Sequence, residues 1–241
     1  MTDYDKTESR WNPLLRGLLP ASIALALFYG GAFLYTKNSG PLLKRTGRSV
    51  GSVMMKEAQR LELGGDAPGA ETAYRAALAA GFTGPEDRTF TEKHLGILLL
   101  ASGRMEEAAS HLQTAVSLRP GTELLAFAPL CEALLALGRH AELERTAEAW
   151  KSAHRVDAIA KAHACALQGK SALAQGNDTL ALQRFKEGAE LSPGSEASGE
   201  LGLFYFKHKQ YDEARPQLEA YLLHGATNNT IQAAYEALPA P

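Results

Sequence analysis

The sequence predicts an all-α protein: helical hairpins stacked in a row behind one membrane-spanning helix. Three observations lead there. Alanine fills 41 of the 241 positions, while aromatic residues make up only 7%. That balance suits closely packed helices and argues against sandwiches, barrels and parallel sheets. A charge-free run of 20 residues stands near the N-terminus. From residue 51 onward, one spacing of small, large and turn-forming residues returns again and again.

Composition also excludes several functions. With 25 Lys+Arg against 27 Asp+Glu the net charge is −2, which lacks the basic footprint of a nucleic-acid binder. Two cysteines, Cys131 and Cys165, make neither a disulfide-rich scaffold nor a four-cysteine zinc site.

In chain order, residues 1–16 form a polar tail and Gly17–Thr36 carries no charge between Arg16 and Lys37. As a helix, 20 residues cover about 30 Å, the hydrocarbon thickness of a bilayer. Pro20 falls in the first turn, where its missing N–H costs little, and Tyr29 and Tyr35 suit an interface. The competing reading is a cleaved signal peptide, with Gly30 and Ala32 before the cut. Against it, Phe33-Leu34-Tyr35 prolongs the apolar run. The linker 37–50 holds Lys37, Lys44, Arg45 and Arg48, against Lys6, Arg10 and Arg16 before the span. Four charges against three favour, by a small margin, a cytoplasmic C-terminal domain over a periplasmic one. The linker cluster also suits anionic headgroups.

Beyond the linker, Leu95-Gly96 is followed by Glu106-Glu107-Ala108-Ala109, Leu112, Ala115 and Pro120. The skeleton returns as Leu201-Gly202, Tyr211-Asp212-Glu213-Ala214, Leu218 and Tyr221, and again as Gly169, Gly176, Ala181, Phe185, Gly188 and Pro193. This resembles the tetratricopeptide repeat, a helix–turn–helix of about 34 residues. Five units follow, 51–84, 89–122, 124–157, 162–194 and 195–228, within a repeat domain 51–228. Unit two matches best. Unit three matches least, with Leu130-Cys131 and then Leu143, Ala147 and Trp150. The resemblance implies a right-handed α-solenoid of about five such repeats. Small residues at the eighth, twentieth and twenty-seventh places, such as Gly96, Ala108 and Ala115, let two helices cross closely. Gly65, Gly103, Gly138 and Gly176 are expected to end first helices in left-handed caps. Residues 229–241 close the chain: Asn229 or Thr230 caps a final helix over 230–238, with Ile231, Ala234, Tyr235 and Leu238 on one face. This helix solvates the open end of the stack, since no unit is stable alone.

Catalytic readings fail on chemistry. Ala164–Ser171 satisfies a relaxed phosphate-loop pattern, but no strand precedes it and the segment is the middle of a first helix. The histidines His94, His111, His140, His154, His163, His208 and His224 fall at differing repeat places, without a metal-binding pair. The two cysteines read as small buried apolar residues. Neither an enzyme nor a cofactor is expected.

What remains is a groove. In the family this chain resembles, first helices line a concave face through the second, fifth, ninth, twelfth and thirteenth places. Carried over, those places hold Met55, Gln59 and Glu62 in unit one, and Phe90, Lys93, Ile97 and Leu100 in unit two. Unit three offers Leu125, Ala128, Glu132 and Leu135, and unit four His163, Ala166, Lys170 and Leu173. Unit five offers Leu203, Phe206 and Lys207. Family members that hold carboxylates place Lys and Asn at the fifth and ninth places, where this chain has Met55/Gln59, Lys93/Ile97, Ala128/Glu132, Ala166/Lys170 and Gly199/Leu203 instead, which disfavours that mode. The expectation is a membrane-anchored scaffold holding a partner protein or peptide in the groove, in assembly of a membrane complex at a bacterial inner membrane. The alternatives are a periplasm-facing factor for cytochrome maturation or envelope biogenesis, and a self-associating structural protein, a homo-oligomer.

Overall fold

The computed structural model describes residues 49–119, 124–154, 156–225 and 228–239. Among these, eleven α-helices and no strand occur. They are α1 (Val50–Leu63), α2 (Ala67–Ala80), α3 (Pro85–Ala101), α4 (Met105–Leu118), α5 (Phe127–Ala136), α6 (His140–Ala153), α7 (Ala158–Ala174), α8 (Asp178–Leu191), α9 (Glu196–Lys207), α10 (Tyr211–Leu223) and α11 (Asn229–Glu236). A 3₁₀ turn, Leu124–Ala126, leads into α5. The expected membrane helix, 17–36, lies outside the described residues. Within them no helix is long and apolar enough to cross a membrane.

Consecutive helices pair as five antiparallel hairpins, and each first helix lies beside the first helix of the next pair. One turn closes all five. In the first, Asp66 N–H bonds the Leu61 carbonyl at 2.9 Å and Gly65 N–H the Glu62 carbonyl at 3.0 Å. The same two bonds recur at Arg104, Arg139, Asn177 and Gln210. This closure satisfies orphan carbonyls but needs one residue at positive φ. The four glycines expected there supply it, and in the fifth hairpin Lys209 adopts φ +60° instead.

Inside each hairpin a small residue stands where the helices cross: Ala58, Gly96, Gly169 and Gly202, all buried. A Cβ on Gly169 would lie 2.3 Å from the Phe185 ring, so the crossing is too close for a side chain. Unit three departs from this. Cys131 holds the crossing position, and α6 reverses the usual order of sizes. Leu143 stands where other units have Ala70, Ala108, Ala181 and Ala214, and Ala147 stands where they have Tyr74, Leu112, Phe185 and Leu218. Trp150 then fills the space of Ala115 or Gly188, its ring parallel to Phe127 at 6.4 Å. Large and small have changed places, so the volume is conserved while the local pattern is not.

One apolar core runs from Met55 to Leu167, and two smaller clusters continue it around Phe185 and around Ile231. The final helix is capped by Asn228, whose side chain accepts from Thr230 and Ile231, rather than by Asn229 or Thr230. Its Ile231 and Ala234 are buried, so it covers the last hairpin.

Candidate protein-binding groove

The first helices α1, α3, α5, α7 and α9 stand side by side, and their shared open face carries most of the expected groove residues. Phe90, Ile97, Leu100, Leu135, His163, Lys170 and Leu173 are half-buried on it. Leu100, Leu135 and Leu173 occupy the same place in successive units, which makes an apolar row across α3, α5 and α7. Glu132 and Lys207 are exposed, whereas Lys93 is buried with its ammonium 5.5 Å over the Phe90 ring. One expectation shifts: Leu125 projects from the 3₁₀ turn before α5, at one edge of the stack, rather than lying in the row. Leu203 and Phe206 are half-buried and pack against the cluster of Tyr221 and Ile231, as Phe90, Ile97, Leu100 and Leu135 pack against the larger core.

Polar groups cross the units on the same face. His163 Nε2 lies 2.9 Å from Glu196, and Lys170 Nζ bridges Glu196 at 2.5 Å and Glu200 at 3.1 Å. Burial alone would push Glu196 up, but the His163 hydrogen bond and the Lys170 charge outweigh it and hold the carboxyl at about 2. Lys170 is raised because Glu196 and Glu200 overcome the opposing effect of its burial. Toward the N-terminal end, Tyr74 donates to Glu62 at 2.6 Å, and His94 Nδ1 lies 3.0 Å from the same carboxylate.

Glu132 is the exception. It makes no hydrogen bond or ion pair among the described residues, and burial pushes its carboxyl up. Glu196 adds to that effect, while His163 and Lys170 pull against it. An acceptor held in this way gains most from a cationic or N–H donor brought by a ligand.

Sequence reasoning passed over Glu196 and Glu200. The first was findable, since it occupies the same second place as Phe90 and His163. The seven histidines, which looked scattered, mostly bridge between or within units: His94 to Glu62, His111 to Glu92, His140 to Ser171, His163 to Glu196 and His208 to Asp178. Both cysteines are free and buried, and no three metal-ligating residues converge among the described residues. The phosphate-loop look-alike lies inside α7, its Gly169 packed on Phe185.

Replacing Glu196 by glutamine is expected to cost about 1–2 kcal/mol at neutral pH, a figure discounted because the side chain is a third exposed. A carboxyl held below its ordinary 4.5 stabilises fully above that value and loses the contribution as pH falls toward 2. Denaturant unfolding of variant and parent should therefore converge across that window; a gap that persists would refute the pairing.

Several solved structures share the architecture. MamA 41-end from Desulfovibrio magneticus RS-1 superposes with a TM-score of 0.56 at 16% identity, over 79% of this chain and 97% of that one. PilF of Pseudomonas aeruginosa gives 0.59 at 12% identity, over 76% and 80%. TTC0263, a thermophilic TPR protein of Thermus thermophilus, gives 0.53 at 23%, over 78% and 98%. At these identities the likeness concerns the fold alone. Among curated proteins none matches the sequence. Residues 55–123 and 167–230 match the tetratricopeptide-repeat family model, and the stretch between them is largely the size-reversed unit three. With the matched segments covering just over half of the sequence and five identical hairpin closures in a row, the chain belongs to the tetratricopeptide-repeat family.

Proposed function

We propose that the protein is a membrane-anchored adaptor that holds a segment of a partner protein along the face formed by its first helices. The observation that carries this is the row Leu100, Leu135 and Leu173, half-buried beside the unpaired Glu132. Apolar anchors at unit spacing with one polar reader match the way an amphipathic helix or extended peptide is gripped. The anchor is supported by Gly17–Thr36, long enough to span and bracketed by Arg16 and Lys37. Proteins built from this repeat are in general interaction scaffolds rather than enzymes, and nothing in the described residues supplies catalytic chemistry.

Charge removal tests the groove. Glu132 makes no hydrogen bond or ion pair among the described residues, so Glu132→Gln, which adds no charge beside His163 and Lys170, should leave the unfolding midpoint unchanged. In crosslinked co-purification from native membranes it is expected to reduce partner recovery at least ~10-fold. Equal recovery with both proteins would sink the groove assignment, and recovery of this chain alone would favour self-association. The membrane side is read separately, by a C-terminal reporter active in one compartment only.

A further inference from the structure

The exposed large apolar side chains are not scattered. Six stand out: Val156 at 100%, Leu63 at 83%, Leu223 at 79%, Leu125 at 74%, Ile159 at 71% and Leu191 at 37% exposure. Isolated exposed leucines are ordinary. Their placement is not. Leu63 alone sits by a hairpin turn. The other five all fall where one hairpin hands over to the next element: before α5, between α6 and α7 (Val156) or in the first turn of α7 (Ile159), and at the ends of α8 and α10. First helices run parallel to one another, so these junctions share one edge of the stack. The opposite edge, with the hairpin turns, carries Arg104 paired to Glu71 and Glu107, and Arg139 to Glu106 and Glu142, while the junction edge carries Arg119 with Glu86 and His154 with Asp157 beside its exposed apolar tips.

The apolar edge is also where the chain enters. α1 begins at Val50, capped by Ser49, so the first described residue stands on that side. The twelve residues 37–48 reach at most about 40 Å. Neighbouring helices pack about 10 Å apart, so a tether of that length places the whole edge within range of whatever holds residues 17–36.

We propose that this junction edge rests on the lipid surface, with Leu125, Val156, Ile159, Leu191 and Leu223 dipping into the interface. The inference depends on the membrane anchor proposed above. The spacing favours lipid over protein. A protein partner needs a contiguous apolar patch with shape complementarity. Here one or two tips project per junction with Asp157, Ser192 or His224 beside them, an arrangement that suits shallow insertion among headgroups. The first-helix face then stays open sideways, free to take a partner.

The test uses the full chain reconstituted in vesicles of phosphatidylethanolamine and phosphatidylglycerol, with an environment-sensitive fluorophore on Val156→Cys, on Leu223→Cys, or on Asp178→Cys at the hairpin edge. The native thiols do not compete, because burial pushes both Cys131 and Cys165 up to about 12. Nitroxide-labelled lipid is expected to quench the labels at 156 and 223 at least 3-fold more than the one at 178. Flotation that resists carbonate reports the anchor independently. Equal, weak quenching at all three sites in a chain that still floats would overturn the edge contact and leave the anchor standing. Failure to float would overturn the anchor and the edge contact with it. A blue-shifted label at 156 that lipid does not quench, growing with protein density, would overturn the proposal in favour of a second copy on this edge.

Discussion

Trp150→Ala is expected to lower the unfolding free energy by about 4 kcal/mol, within the range for truncating a buried aromatic. The indole is buried, lies parallel to Phe127, and meets the His163 ring edge-on at 5.3 Å. It thus joins α5, α6 and α7 at the point where unit three reverses the usual order of sizes. Ala147 and Cys131 are too small to close the hole, so the cavity would persist. Trp150→Phe makes a sharp companion. Its indole N–H is buried without a partner among the described residues, a cost of about 1–3 kcal/mol that phenylalanine removes. The lost ring volume and the removed orphan donor offset, and Trp150→Phe should fall within about 1 kcal/mol of the parent. Denaturant unfolding checks both; a mild alanine variant would mean that unit three is not held through this ring.

Gly188→Leu should cost about 3 kcal/mol by overpacking. Its Cβ would lie 2.4 Å from the Ala197 Cβ, 3.0 Å from the Ala162 carbonyl oxygen and 3.1 Å from the Cys165 Cβ. Three helices, α7, α8 and α9, therefore converge on a position with room for no side chain. A backbone oxygen and two β-carbons cannot rotate away as a side-chain tip can. Gly176→Ala separates this effect from backbone strain: it has φ +73° and open space around it, so only about 1 kcal/mol is lost. The same unfolding measurement ranks the two, and equal losses would show that the junction is looser than its distances imply.

Much of this was legible residue by residue. The turn glycines, the small residues at the helix crossings and the buried Leu112, Phe185 and Leu218 act within one hairpin, and a window of one unit contains all their partners. The final helix was readable too, although its cap moved one residue to Asn228. The groove was only half readable. Leu100, Leu135 and Leu173 are half-buried at matching places of successive first helices, whereas the packing of Leu203 and Phe206 against the cluster around Ile231 depends on the final helix, and a repeat pattern carries no information about what covers its last copy. Glu196 and most of the histidine pairs were missed because the partner lies about a whole unit away, whereas His111 to Glu92 closes within one unit. His94 and Glu62 are 32 positions apart, and no local spacing joins them.

By itself, then, the sequence determined the helical hairpins and the four glycine closures, because glycine at positive φ and small residues at crossings are short-range steric demands, whereas the fifth closure, on Lys209, carries no such mark. The tertiary structure alone decided which polar groups meet across the seams and which edge gathers the exposed apolar residues. Those outcomes follow from the offset and rotation of one hairpin against the next, set by packing summed over the whole stack rather than by any one repeat.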